Sequence, residues 1–182
     1  MDAMTIHSED PFATPNDQRS PVRRFRGRMP SPVTVWTAGS GSDRAGLTVS
    51  SLLVADGDPG QLAGVISDES ELWTAIQATG RFAVIQLGAD DRLLADRFAE
   101  MLPAPGGPFS AGTWQQTDYG PVPADAAGDI APSRTWAGCR FDAARPYGWG
   151  LLVEAIIEEF TFAAAVDSLV HVSGRYRDIT AG

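Results

Sequence analysis

A short run of hydroxyl side chains interrupts an otherwise apolar segment near residue 50. Thr48-Val49-Ser50-Ser51 follows Gly46 and Leu47 and precedes the apolar residues 52–54. Hydroxyls buried without a partner cost free energy, so they must bond to the chain itself or to a polar ligand. Serine and threonine can donate to a phosphate or to the edge of a flat heterocycle, and a glycine would let such a ring approach the backbone closely. On these residues alone, a ligand site and a strand with one wet face both stay open.

The sequence lacks the usual signatures of nucleophilic, acid–base and metal catalysis. Its basic residues are all arginine, which excludes Schiff-base, phosphate-loop and kinase-type lysines. Cys139 is the only cysteine, so an intrachain disulfide and a cysteine-rich zinc site are excluded. The histidines are His7 and His171, and His171 fits a strand position better than a catalytic triad. We predict no metal site, and the acidic pairs Asp90-Asp91 and Glu158-Glu159 fit solvated faces or helix starts.

The net charge and the hydropathy of the sequence limit the kinds of partner that the protein can bind. A net charge of -9 argues against nucleic acid, because phosphate binding needs a positive surface. Five arginines between residues 19 and 28 form a local positive cluster in this acidic chain. They could belong to a solvated tail, or to an arm that folds over a bound phosphate or a neighbouring subunit. No run approaches the ~18 apolar residues that cross a bilayer, and the first thirty residues lack the apolar centre of a secretory signal. We expect a cytoplasmic protein that binds neither membranes nor nucleic acid.

The elements that must position the hydroxyl run are mostly strands. β-branched and aromatic residues between turn signals predict strands at 33–38, 46–55, 62–67, 82–87, 135–141 and 169–176. Apolar spacing predicts a helix over 72–79, capped by Ser67 or Asp68, and a second helix from Asp90 or Asp91 to Pro103. Spacing alone also favours a helix over 151–160. Residues 103–133 are rich in proline and glycine and predict a loop that is either functional or partly disordered.

This order of elements predicts one mainly β domain. Six strands and two short helices without regular alternation indicate a β-barrel with helical lids, not a doubly wound sheet. Residues 1–27 are polar and contain several prolines, so we predict a disordered or loosely packed N-terminal tail before a domain over 28–182.

Seven short motifs occur in the order found in the flavin reductase-like family of FMN-binding split barrels. Residues 29–37 resemble the family's opening strand, and residues 46–51 are similar to its Gly-Met-Thr-Val-Ser-Ser segment. The other motifs lie at residues 58–59, 81–87, 94–99, 138–140 and 169–176. The resemblance spans residues 28–177 and implies an antiparallel split β-barrel. It also implies a strand over 151–157, against the helical spacing there.

The resemblance further implies a flavin in a cleft at a homodimer interface. The cofactor would be FMN, or FAD in its place, with NADH or NADPH as co-substrate and a flavin-dependent monooxygenase as a partner enzyme. Trp36 and Thr37 could line the ring or belong to the barrel, while Ser67 and Ser70 could hold phosphate or only cap a helix. The flavin-binding residues so implied are Trp36, Thr37, Thr48, Val49, Ser50, Ser51, Ser67, Asp68, Ser70, Arg175 and Tyr176.

Three positions depart from the family pattern. Its frequent Gly-Asp-His, whose histidine lies near the nicotinamide, falls on Pro146-Tyr147-Gly148, and no histidine replaces it. Pro32 and Gly60 also differ from the usual residues, with consequences for local backbone geometry. An NAD(P)H-dependent flavin reductase is therefore the leading hypothesis. A non-catalytic flavin carrier and a structural homodimer without flavin are the alternatives.

Overall fold

The computed structural model describes residues 20–131, 134–163 and 167–179. Its helices are α1 (Pro21–Arg28), α2 (Glu71–Thr79) and α3 (Arg92–Phe98), with short 3-10 turns at Gly41–Asp43, Ala89–Asp91 and Pro108–Ser110. The strands of the described residues are β1 (Ser31–Pro32), β2 (Thr34–Ala38), β3 (Ala45–Val49), β4 (Leu52–Ala55), β5 (Gln61–Ile66), β6 (Arg81–Gln86), β7 (Thr113–Gln116), β8 (Pro121–Ala124), β9 (Trp136–Tyr147), β10 (Gly150–Thr161), β11 (Ser168–Val172) and β12 (Arg175–Ile179).

A curled seven-stranded sheet forms the body of the fold. Its strand order is β3-β2-β6-β9-β10-β5-β4, and every neighbouring pair is antiparallel. A second sheet, β1-β11-β12, and a separate hairpin, β7-β8, complete the described strands. The mainly β, antiparallel half-barrel with short helices that the sequence predicts is thereby confirmed.

Two apolar clusters lie on the two sides of this sheet. The first packs α2 against the sheet through Trp36, Phe82 and Ile76, and the Trp36 and Phe82 rings stack at 4.9 Å. The second packs α3 and the small sheet through Phe98 and Leu169. Because both faces of β2 are covered, every residue from Thr34 to Ala38 is buried. Each large apolar side chain so buried contributes about 1.5–3 kcal/mol.

The single strand predicted over 46–55 is wrong in one respect, because the chain bends at Ser50-Ser51. β3 pairs with β2 at one edge of the large sheet, while β4 pairs with β5 at the opposite edge. The two serines therefore form the corner at which the curled sheet comes back on itself. Ser51 accepts a hydrogen bond from the Val65 amide at 3.1 Å, which ties the corner to β5.

The segment over 150–161 is a strand, which confirms the strand that the resemblance implies over 151–157 and not the helix that its spacing favours. β10 pairs with β9 and with β5 along its length, and its register with β9 shifts at Glu154/Ala155 and at Ile157/Glu159. Each shift moves the following side chains to the other face. Apolar residues that alternate on a bulged strand consequently imitate the spacing of a helix.

Several predicted boundaries also change. The strand predicted over 169–176 is the hairpin β11–β12, whose turn residues Ser173 and Gly174 have φ values of 53° and 76°. The predicted second helix ends at Phe98, five residues before Pro103. The predicted loop over 103–133 contains the β7–β8 hairpin, and its Phe109 packs edge-on against Phe98. Residues 132 and 133 lie outside the described residues.

The predicted N-terminal tail is partly helical. α1 begins after Ser20, whose hydroxyl accepts from the Arg23 amide at 3.2 Å, and the helix buries no residue. Its contact with the fold includes a hydrogen bond from the Ser173 amide to the Gly27 carbonyl. Residues 1–19 lie outside the described residues, and the domain boundary at residue 28 stays a prediction.

Candidate functional site

Three segments meet at the carboxyl end of β5. The Ser50-Ser51 corner is tied to Val65, and the turn that leads into α2 begins at Ser67. The tip of the β9–β10 hairpin lies on the other side, because Leu151 pairs with Ile66. We call this region the β5-end site.

The corner contributes hydroxyl groups that the fold does not use. Ser50 and Ser51 are both half-buried, and within the described residues neither hydroxyl has a hydrogen-bond partner in the chain. By contrast, Thr48 donates to the Ala95 carbonyl of α3 at 2.7 Å, and Thr34 donates to the Val49 carbonyl at 2.7 Å. The hydroxyls that the structure needs are thus upstream of the corner, and the two serines are free to bind a ligand.

The turn before α2 contributes free backbone donors. Ser70 is the N-cap: its hydroxyl accepts from the Trp73 amide at 3.2 Å and donates to the Ser67 carbonyl at 2.7 Å. The predicted caps, Ser67 and Asp68, are therefore wrong, since the helix starts later. Among the described residues the Glu71 and Leu72 amides have no acceptor. Amides at a helix N-terminus favour an anion through both hydrogen bonds and the helix dipole.

The hairpin tip carries exposed aromatic side chains. The two-residue turn is Gly148-Trp149, and Gly148 has the left-handed φ of 60° that such turns require at their first position. Trp149 is fully exposed, and Tyr147 beside it lies under the Arg145 guanidinium at 5.6 Å. A side chain at Gly150 would meet the Ile66 carbonyl at 2.7 Å, so the tip lies directly against β5.

A cavity of about 250 Å³ opens beside the start of α2. Gly46 and Leu47 of β3 line one wall, and Ser70 lies at the start of α2. Arg44 and Arg97 also line it, and Arg44 lies over the Phe109 ring at 4.7 Å from its centre. The cavity thus joins the first part of the hydroxyl-containing segment to the start of α2.

The family follows from the sequence match. Residues 26–180 match the protein-family model described as flavin reductase like domain. The chain belongs to this family. A search of curated protein sequences found no match.

Solved structures of flavin reductases share the fold. The NADH:FAD oxidoreductase SgcE6 from Streptomyces globisporus is 23% identical, with 88% of this chain and 92% of that one covered and a TM-score of 0.74. BorF, the flavin reductase component of a bacterial two-component tryptophan halogenase, is 21% identical over 88% of this chain and 98% of its own, with a TM-score of 0.73. A homologue of nitrilotriacetate monooxygenase component B from Mycobacterium thermoresistibile is 22% identical over 87% and 84%, with a TM-score of 0.73.

In this flavin reductase-like chain, three of the expected flavin residues belong to the barrel. Trp36 and Thr37 are fully buried, which is the alternative that the sequence left open for both. The Trp36 indole donates to Thr34 at 3.1 Å and the Thr37 hydroxyl donates to the Pro121 carbonyl at 2.7 Å. Val49 is also buried, so its side chain faces the core. The close approach expected at Gly46 is made by Phe98, which a Cβ there would meet at 2.5 Å.

Arg175 and Tyr176 lie on β12, in a different sheet from the β5-end site. Tyr176 packs edge-on against His171, with ring centres 5.8 Å apart. Burial, followed by the neighbouring Asp96 carboxylate, raises the pKa of the Tyr176 phenol. Within one chain the structure does not bring these two residues together with Ser50, Ser51 and Ser67, and their predicted reach to a partner's site stays a prediction.

Cys139 and Glu158 are both engaged within the fold. Burial raises the pKa of the Cys139 thiol to about 12, and the nearby Glu158 carboxylate adds to the effect. Glu158 itself accepts from Arg140 at 2.8 Å and pairs with Arg81 at 3.4 Å. No group of three or more histidine, cysteine or acidic side chains able to hold a metal occurs among the described residues. None of their helices is long and apolar enough to cross a membrane.

Sequence reasoning missed the two arginines of the cavity and the exposed tryptophan. Arg44 and Arg97 are distant in sequence from each other and from Ser70, so only the packing of α3 brings them to one cavity. Trp149 did have a signal, because a tryptophan between two glycines has no neighbouring side chain to cover it.

Proposed function

We propose that this protein is an NAD(P)H-dependent flavin reductase that binds its flavin at the β5-end site. The observation that carries the proposal is the pair of hydroxyls at Ser50 and Ser51, which have no partner among the described residues and lie at the end of β5 that leads to the free amides of α2. FMN is the expected flavin, with FAD as the other candidate.

The donor set fits a flavin phosphate and ring edge. Hydroxyl and amide donors suit phosphate oxygens and ring carbonyls, and the α2 dipole favours the negative charge of a phosphate. Ser67 and Asp68 flank these donors on an exposed turn. The Ser70 hydroxyl already forms the hydrogen bonds of the helix cap. We therefore expect it to hold the turn in place and not to bind the phosphate.

Reduction of a bound flavin by a nicotinamide requires little acid–base catalysis from the protein side chains. A bound flavin supplies the acceptance of a hydride from NADH or NADPH, and the protein supplies binding, orientation and exclusion of water. This division fits a chain in which Glu158 and Asp91 are held in ion pairs and the Cys139 thiol lies in the core. The residues of the β5-end site would hold the flavin, and its open side would admit the nicotinamide.

The named activities of the structural neighbours support the same reading. SgcE6 is a NADH:FAD oxidoreductase and has been solved with NAD and FAD fragments, at 22% identity to this chain. BorF is the flavin reductase component of a two-component halogenase, and the component B homologue is named as one component of a monooxygenase. We infer that the partner here is a flavin-dependent monooxygenase that receives reduced flavin.

A homodimer is part of the proposal. Val54 on the edge strand β4, Phe160 in β10 and Phe162 just after it expose large apolar side chains. Val54, Phe160 and Phe162 border an apolar groove of about 210 Å³. A contiguous apolar surface of this kind is typical of a subunit interface. A cytoplasmic location stays a prediction from the sequence.

The visible spectrum of the purified protein is the first test. We expect a yellow protein, or uptake of added FMN or FAD by colourless protein, and bleaching of the bound flavin when NADH or NADPH is added without oxygen. A protein that takes up neither FMN nor FAD would contradict the proposed flavin binding, and with it the proposed reduction.

The placement of the site is tested by removing both corner hydroxyls. Ser50→Ala with Ser51→Ala should weaken flavin binding by about fivefold or more, the equivalent of roughly one hydrogen bond of ~1 kcal/mol. The matched control is Ser42→Ala, because Ser42 is an exposed serine whose hydroxyl donates to the neighbouring Asp43 carboxylate. Equal affinities for the double variant and the control would mean that the flavin lies elsewhere.

A non-catalytic flavin carrier is the second candidate. The observation that favours it is Gly148, where the family often has a histidine near the nicotinamide. A carrier would bind flavin but would leave it oxidised with both nicotinamides. Stopped-flow measurement of flavin bleaching separates the two candidates directly.

A further inference from the structure

Helix α1 carries an apolar stripe that the described chain leaves uncovered. Val22, Phe25 and the C-cap Met29 follow the i, i+3, i+7 spacing of one helix face, and they are 77%, 69% and 52% exposed. Arg26 lies four residues after Val22, and Arg28 lies three residues after Phe25, so both arginines border the stripe. Apolar anchors at this spacing are those with which an amphipathic helix binds a groove. A partner surface for α1 would therefore combine apolar area with negative charge.

A groove on the large sheet has both of these properties. It has a volume of about 250 Å³, and its lining residues include Leu53 of β4, Ala63 of β5, Asp142 of β9 and Glu154 of β10. Leu53 is 66% exposed and supplies apolar surface. Because neighbouring residues of a strand point to opposite faces, Leu53 lies on the other side of β4 from Val54. We call this surface the acidic groove.

The two carboxylates of the acidic groove have no cationic partner in the described chain. Glu154 pairs with Ala143 and Ala155 pairs with Phe141, so the bulge between them leaves Asp142 without a cross-strand partner. Asp142 and Glu154 line the same groove, and neither forms an ion pair with an arginine of the described residues. Like charges in one groove repel each other, and a guanidinium beside them would offset that repulsion.

The helix α1 of the same chain does not cover the acidic groove. The Gly27 carbonyl accepts from the Ser173 amide at the β11–β12 turn, and Ser31, just after the helix, pairs with His171 in the small sheet. The exposure of Phe25 shows that the stripe stays free in that position. A second copy of the chain presents the same groove. Nucleic acid and anionic membranes also attract arginine, but the net charge of -9 opposes the approach of the whole protein to either.

We propose that α1 of one subunit docks in the acidic groove of a second copy. Phe25 would lie on the surface of Leu53, and the bordering arginines would face Asp142 and Glu154. The inference rests on the homodimer of the proposed function and extends its interface, since Leu53 is next to Val54 on the edge strand β4. A two-fold dimer repeats every contact, so each subunit would both give and receive a helix.

The test measures the dimer dissociation constant of the full chain by sedimentation. Phe25→Ala should raise this constant by about tenfold or more, because each dimer loses two buried aromatic side chains. Phe25 is exposed in the single chain, so the variant should fold as the wild type does. The control is Leu93→Ala, which shortens an apolar side chain of α3 that is 65% exposed, and it should leave the constant unchanged.

A charge exchange tests the pairing of the two surfaces. Arg26→Glu with Arg28→Glu should weaken the dimer, because four carboxylates would then meet in each groove. Adding Asp142→Arg with Glu154→Arg should recover most of the lost affinity, since the opposite charges are restored with their positions exchanged. A merely structural role of these side chains would not give such recovery.

Every other outcome overturns the inference. An unchanged dissociation constant in Phe25→Ala, or a charge exchange without recovery, would leave the proposed dimer standing without the docked helix. Equal weakening by Leu93→Ala would show that loss of any exposed apolar side chain has the same effect. A wild-type monomer would refute the proposed dimer and this inference together, while flavin uptake, measured on the same samples, would decide the rest of the proposed function separately.

Discussion

At the scale of single residues, Gly46 has a packing role that the sequence did not reveal. Its missing side chain makes room for the Phe98 ring of α3, and a Cβ would lie 2.5 Å from that ring and 3.1 Å from the Trp36 carbonyl. We expect Gly46→Ala to lower the free energy of unfolding by about 1–3 kcal/mol, as overpacking of a filled core does. Urea denaturation measures the change.

Gly27→Ala is the matched control for this change. Gly27 lies in α1, and a Cβ there would have nothing within 4 Å. Because alanine is the better helix former, this variant should be neutral or gain roughly 0.5–1 kcal/mol. Equal loss in both variants would show that the close packing at Gly46 is not the cause.

The Cys139 thiol should be unreactive in the folded protein. It is fully buried, and burial beside Glu158 raises its pKa to about 12, so the nucleophilic thiolate is scarce at pH 8. We expect a thiol reagent such as DTNB to label it only as fast as the protein unfolds, and at once in denaturant. Rapid labelling of native protein would contradict the buried position on β9.

The sequence alone singled out the hydroxyls of the candidate site but did not show which of them the fold itself uses. The run Thr48 to Ser51 stood out because hydroxyls interrupt an apolar segment, and the structure leaves the hydroxyls of Ser50 and Ser51 without partners among the described residues. Thr48 could not be separated from them, because its acceptor is the Ala95 carbonyl, 47 residues away. Trp36 and Thr37 likewise depend on contacts with β8 and the core that no local pattern encodes.

At the scale of elements, the start of α2 can be tested apart from flavin binding. Ser70→Ala removes the N-cap acceptor and should cost about 1 kcal/mol of unfolding free energy, whereas Ser70→Gly should cost only a few tenths. Because the Ser70 hydroxyl is engaged in the cap, we expect flavin affinity, measured on folded protein, to change little. Thermal and urea unfolding give the first quantity and titration the second.

A large loss of flavin affinity in Ser70→Ala, without a comparable loss of stability, would point instead to direct phosphate binding. Glu69→Ala is a useful comparison, because it removes an exposed carboxylate from the same turn without touching the cap.

The elements most open to prediction were those with local signals. α2 had its apolar spacing and the closing Gly80, whose φ of 68° is that of a helix C-cap. The break between β3 and β4 had no comparable signal, because it depends on the closure of the sheet between distant strands. The strand identity of β10 came from the family resemblance, since its two bulges hide the alternation that strands usually show.

At the scale of the whole molecule, stability should fall as the pH drops below neutrality. Burial, and then the positive charge of Arg26, lowers the pKa of His171 in the folded state. Below the unfolded pKa of ~6.5, the unfolded chain therefore binds more protons than the folded chain, and each decrease in pH favours unfolding until the folded pKa is passed. His171→Asn should reduce the slope of unfolding free energy against pH between about 7 and 5. An unchanged slope would assign the pH dependence to carboxylates.

The proposed dimer depends on the apolar surface formed by Val54, Phe160 and Phe162. Stable interfaces bury about 1,600 Å² in total, so these side chains would be the centre of a larger contact. We expect sedimentation to show a dimer at micromolar concentration. Phe160→Asp with Phe162→Asp should give a monomer, because a carboxylate buried without a partner costs several kcal/mol.

The control for this change is Leu93→Asp, which places the same charge on an equally exposed apolar position of α3, outside that surface. It should leave the dimer intact. A wild-type monomer would contradict the proposed interface, and so would dissociation by the control to the same extent as by the double variant. If the double variant is monomeric and also loses flavin, the partner subunit completes the site, which is what a cleft between two copies requires. A monomer that retains flavin affinity would place the whole site within one chain.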